Sequence, residues 1–64
     1  MTSSDLAELS SLRAQLEELT ARVVVVAERY DSPDSAVAVD LFGVERALLA
    51  ARRTLERAIA HLTP

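Results

Sequence analysis

Hydrophobic residues in the first half of the chain recur with the alternating three- and four-residue spacing of a coiled-coil heptad. This stripe comprises Leu9, Leu12, Leu16, Leu19, Val23, Val26 and Tyr30. Ser3 or Ser4 can cap the start of a helix, and Asp5 and Glu8 suit its first turns because the helix dipole favours negative charge there. The pattern predicts a first helix over about residues 4–30.

A polar break separates this stripe from a second one. Ser32 can cap a second helix with Pro33 at its first position, where the missing N–H of proline costs nothing. The second stripe comprises Val37, Leu41, Val44, Leu48, Leu55, Ile59 and Leu62, with Ala51 and Ala58 between them. The pattern predicts a turn at about 31–33 and a second helix over about 33–62.

Two helices of similar length joined by a short turn predict one all-α domain over residues 1–64, an antiparallel helical hairpin with coiled-coil packing. A chain of 64 residues rarely builds a core that contributes more than about 3–5 kcal/mol. Without cysteine, and with a single histidine, disulfides and metal ions offer little extra support. We therefore expect the hairpin to dimerise into a four-helix bundle.

Several apolar residues lie off both stripes, and a solitary hairpin would leave them in water. They are Leu6, Val24, Val25, Phe42 and Leu49. We expect them to contact a second copy of the chain. The alternative is that they form a binding surface for a different protein.

Charge is distributed unevenly along the chain, whose net charge is −3. The basic residues are all arginines, and Arg46, Arg53 and Arg57 fall on the outer face of the second helix. Guanidinium groups bind phosphates and carboxylates bidentately, so this surface could hold an anionic small molecule or nucleotide. The alternative is a solvated face with pairs such as Arg53–Glu56. Duplex nucleic acid is not an expected partner, because the chain is acidic and no aromatic residues accompany the arginines.

Catalytic and metal-binding patterns are weak. His61 has no evident carboxylate partner, and Asp31, Asp34 and Asp40 lack the spacing of a calcium loop. Gly43 is the only glycine, which excludes a glycine-rich phosphate loop. We therefore expect no catalytic residues, metal or cofactor.

The apolar run at 23–27 is too short to span a bilayer, and no signal-peptide pattern precedes it, so we expect a cytoplasmic protein that does not bind membranes. The sequence predicts a non-enzymatic protein–protein interaction module that serves as a small scaffold, adaptor or regulator. The alternative is a regulator that responds to an anionic ligand on the arginine surface.

Overall fold

A computed structural model of the chain describes residues 3–30, 32 and 34–64. They form two α-helices that pack against each other, α1 (Ser3–Glu28) and α2 (Ala36–Leu62), and no described residue lies in a strand. At a rise of 1.5 Å per residue each helix is about 40 Å long, and the longest dimension of the molecule is 48 Å. The helices therefore lie side by side. The segment at 29–35 is too short to return along a whole helix, so they are antiparallel, and the predicted all-α hairpin is confirmed.

The start of α2 lies three residues after the predicted one. Ser35 is the N-cap, with extended backbone angles and a side-chain oxygen that accepts a hydrogen bond from the Ala38 N–H at 3.1 Å. Ser32 instead belongs to the preceding turn, where its carbonyl accepts from the Ser35 N–H at 3.0 Å. Pro33, predicted as the first helical residue, lies outside the described residues.

The other helix ends are close to those predicted. Helix α1 begins at Ser3, so Ser3 and Ser4, predicted as caps, both lie inside it. At the far end of α2 the Thr63 N–H donates to the carbonyls of Ile59 and Ala60, and its hydroxyl donates to the Ile59 carbonyl at 2.9 Å. These bonds satisfy carbonyls that the end of a helix leaves without partners.

The buried and half-buried residues of each helix show which faces meet. Most of them recur with the alternating three- and four-residue spacing of heptad positions a and d, and we call this row the inter-helix seam. Its members are Leu6, Leu9, Arg13, Leu16, Thr20, Val23 and Ala27 on α1, and Ala38, Leu41, Glu45, Leu48, Arg52, Leu55, Ile59 and Leu62 on α2. Four further half-buried residues, Ser10, Val24, Gly43 and Leu49, lie beside it.

The predicted stripes share only part of this seam. Leu9, Leu16 and Val23 lie in it, as predicted, but the other half of the α1 stripe is exposed. On α2 the prediction is better: Val37 and Val44 are exposed, but the other five residues of the stripe, Leu41, Leu48, Leu55, Ile59 and Leu62, lie in the seam. The prediction that the exposed positions face the other helix of the hairpin is therefore wrong. The positions that replace them carry smaller or more polar side chains, among them the buried Ala27 and Ala38, whose size permits close approach of the two helices.

Candidate interaction surface

One side of the hairpin carries a continuous row of exposed apolar side chains. In the heptad set by the seam these residues occupy position g of both helices, and in an antiparallel pair the two g rows lie on the same side of the seam. We call this surface the open face. It comprises Leu12, Leu19 and Val26 on α1, and Val37, Val44, Ala51 and Ala58 on α2.

The open face is strongly apolar in its middle and at its turn end. Leu19 is 48% exposed and Val44 is 42% exposed, and none of the members is charged. Between the helices, the side chains of Leu19, Val23, Val26 and Leu41, with Arg22 at the edge, line a shallow groove of about 330 Å³. Monomeric proteins seldom leave such a continuous apolar surface in water.

Polar and charged residues border the open face at heptad position c. On α1 this border is acidic at the end that carries the chain termini, through Glu8, and basic at the turn end, through Arg22 and Arg29. On α2 it is acidic at the turn end, through Asp40, and carries His61 at the other end. The two borders thus have opposite signs at the turn end of the hairpin.

The residues predicted to contact a second copy do not share one surface. Leu6 lies in the seam and is half-buried, whereas Val25 is exposed on the outer side of α1. Val24, Phe42 and Leu49 lie at heptad position e, on the side of the hairpin opposite the open face, and only Phe42 among them is exposed. The members of the open face went unrecognised as a separate surface because their spacing also fits the seam.

The arginine surface lies away from the open face. Arg46, Arg53 and Arg57 are all exposed on α2, and the Arg57 guanidinium donates to the Thr54 hydroxyl at 3.2 Å. The predicted pair Arg53–Glu56 is replaced by another. In the described part of the chain, the ion pair joins Arg52 Nε to Glu56 Oε1 at 3.7 Å.

Polar side chains also occupy the seam itself. Residues at equal distances from the turn lie at similar heights in the hairpin, which brings Arg13 and Arg52 to the same level. The Arg52 Nε atom is buried without a hydrogen-bond partner. Thr20 is buried, and its hydroxyl is satisfied by the Leu16 carbonyl at 2.7 Å. The seam also carries a carboxylate, because Glu45 lies in it and is half-buried.

The residues considered for chemistry remain apart. Asp34, Asp40 and His61 are exposed, and Asp31 lies outside the described residues. Over the described ranges, no three His, Cys, Asp or Glu side chains form a group that could hold a metal ion. Neither helix, as far as it is described, combines the length and apolar character needed to cross a membrane.

Comparisons of the chain with protein-family models, with curated protein sequences and with solved structures give no match in any of the three.

Proposed function

We propose that this chain is a non-enzymatic protein–protein interaction module, a small helical scaffold, adaptor or regulator that completes its hydrophobic core by docking against further helices. Its expected form is a four-helix bundle made by two hairpins. The observation that carries this proposal is the incomplete core of the single hairpin. Among the described residues only Ala27, Ala38 and Thr20 are buried, and no large side chain is fully buried.

The exposed surface supports the same conclusion. The solvent-accessible surface of the chain is 4705 Å², whereas a folded monomer of this mass has about 4,000 Å². The excess is roughly 700 Å², close to the approximately 800 Å² that each partner contributes to a stable interface. A docked partner would therefore bring the exposed area of this hairpin into the ordinary range.

Thermal unfolding across a hundredfold range of protein concentration tests this proposal. For a dimer, such a range changes the free energy of unfolding by about 2.7 kcal/mol, which corresponds to a rise in Tm of about 10 °C. Circular dichroism at each concentration measures Tm, and light scattering after size exclusion measures the mass. A fully helical monomer with a cooperative transition at the same Tm throughout would contradict the proposal.

The second candidate function is the binding of an anionic small molecule or nucleotide on the arginine surface. It is supported by the exposure of Arg46, Arg53 and Arg57, and by the pairing of Glu56 with Arg52 rather than with Arg53. Phosphate and a nucleotide panel should then raise Tm, and the double variant Arg53→Ala, Arg57→Ala should lose this response. An unchanged Tm with every compound in the panel would reject this candidate.

A further inference from the structure

We infer that the open face is the surface on which a second copy of this chain docks, and that the opposite side, with Val24, Phe42 and Leu49, stays outside that interface. This inference rests on the proposed function and specifies its partner and its surface. The seam of a two-helix hairpin needs only positions a and d. A helix in a four-helix bundle has two neighbours, and it needs position e or g to be apolar as well.

Both helices satisfy this bundle pattern on the same side of the molecule. The g row of α1 begins with Asp5 in the first turn, and its remaining members Leu12, Leu19 and Val26 are apolar, as are Val37, Val44, Ala51 and Ala58 on α2. The e positions do not form such a row, because Glu17 lies among them on α1 and Glu56 on α2. The g side is therefore the side of the hairpin that suits packing against a second hairpin.

The dimensions of the hairpin indicate what kind of partner can cover the open face. This face runs along a molecule 48 Å long and only 15 Å and 11 Å in its other dimensions. A stable interface takes approximately 800 Å² from each partner, and on so narrow a molecule this area is reached only if almost the whole length is covered. A second hairpin has the same length and the same apolar row, so it fits this requirement along the full face.

Charge along the borders favours a second copy in particular. If two hairpins dock with their turns at the same end, the border of α1 faces that of α2 in the other copy, and Arg29 approaches Asp40. If they dock with turns at opposite ends, the α1 borders face each other, and Glu8 of each copy approaches Arg22 of the other. Opposite charges meet in either arrangement, so the rim of the open face is complementary to itself.

Two pairs of alanines allow a test that leaves the hairpin itself almost unchanged. Ala51 and Ala58 are exposed members of the open face, whereas Ala50 and Ala60 are exposed on the outer side of α2. Glutamate is nearly as good a helix former as alanine. The double variant Ala51→Glu, Ala58→Glu therefore places charges on the open face, and Ala50→Glu, Ala60→Glu is its matched control.

Mass by light scattering and sedimentation equilibrium, over a hundredfold range of concentration, measures the association of each protein. We expect the wild type and the control to have about twice the mass of 7.0 kDa. The open-face variant should have a dimer dissociation constant raised at least ~100-fold, because burial of an unpaired charge at an interface is strongly unfavourable. Its helical content at concentrations where it still dimerises should match that of the control.

Other outcomes would overturn the inference, and they separate it from the proposed function. A dimer that the open-face variant leaves intact would mean that another side of the hairpin forms the interface, and the proposed function would stand. A poorly helical wild-type monomer would mean that the open face belongs to a different protein. A fully helical wild-type monomer would contradict both proposals. Equal weakening of the dimer by both variants, or a mass above two chains, would contradict docking through the open face alone.

Discussion

Replacement of Arg52 by leucine should stabilise the protein, although it removes the ion pair that the described residues contain. Arg52 occupies a seam position where its Nε atom is buried without a hydrogen-bond partner. The opposing seam position at the same height carries Arg13, another positive charge. The pair with Glu56 is long at 3.7 Å, and the two side chains are 35% and 44% exposed. The favourable ion pair with Glu56 is therefore weak. The unfavourable contributions, the buried Nε atom and the nearby charge of Arg13, lie between the helices.

The expected gain follows from the balance of these contributions. An exposed ion pair between residues four apart on a helix contributes about 0.3–0.5 kcal/mol, which the variant loses. A buried polar group without a partner costs about 1–3 kcal/mol, which the variant recovers. The leucine side chain replaces the packing of the arginine stem. We therefore expect Arg52→Leu to raise the free energy of unfolding by about 1–2 kcal/mol, or Tm by at least about 4 °C.

Urea unfolding followed by circular dichroism, with all proteins at one concentration, measures this gain. Arg53→Leu is the control, since Arg53 is the next residue and is exposed on the outer side of α2. The control should change stability by less than about 0.5 kcal/mol. The reasoning is refuted if Arg52→Leu is no more stable than the wild type. The Arg52 guanidinium would then have a partner in the folded assembly that the single hairpin lacks.

Three further substitutions test the helix ends and the packing, each by thermal unfolding at a fixed concentration. Ser35→Ala should lower the free energy of unfolding by about 1 kcal/mol because it removes the N-cap hydrogen bond, whereas Ser32→Ala should have a smaller effect. A larger effect of Ser32→Ala would mean that Ser32 and not Ser35 caps α2. Gly43→Ala should raise stability by about 0.5–1 kcal/mol, since the added Cβ would meet only Arg46 Nη2, at 3.7 Å. Ala27→Leu should lower stability by about 1–3 kcal/mol through overpacking, because Ala27 is 0% exposed, whereas Ala21→Leu on the exposed side should be nearly neutral.

The position of the second cap shows where local signals were ambiguous. Ser32 followed by Pro33 is a sound start signal, and so is Ser35 ahead of the Ala-Val run. Both serine hydroxyls accept a hydrogen bond from a following backbone N–H, Ser35 from Ala38 at 3.1 Å and Ser32 from Asp34 at 3.4 Å. The choice depends on where the chain must turn to bring α2 alongside α1, and this is a property of the hairpin rather than of the local sequence.

The sequence by itself determined the two helices, the break between them and their antiparallel association. Each of these features depends on a short stretch of sequence. The hydrophobic spacing indicates the helices, the polar segment with its proline indicates the break, and the short connection between the helices makes them antiparallel. The same spacing could not decide which apolar residues face the partner helix. Leu9, Leu16 and Val23 belong equally to the predicted stripe and to the observed seam.

Only the tertiary structure decided between the two phases. The sequence favoured the row with Leu12, Leu19 and Val26, because it is more apolar than the row with Arg13 and Thr20. In the hairpin the less apolar row faces α2, where the buried Ala27 lets the helices approach closely near the turn. The more apolar row is left exposed as the open face. Hydrophobic spacing indicates that a side chain should be shielded from water. Only the packed structure shows whether the other helix of the same chain shields it.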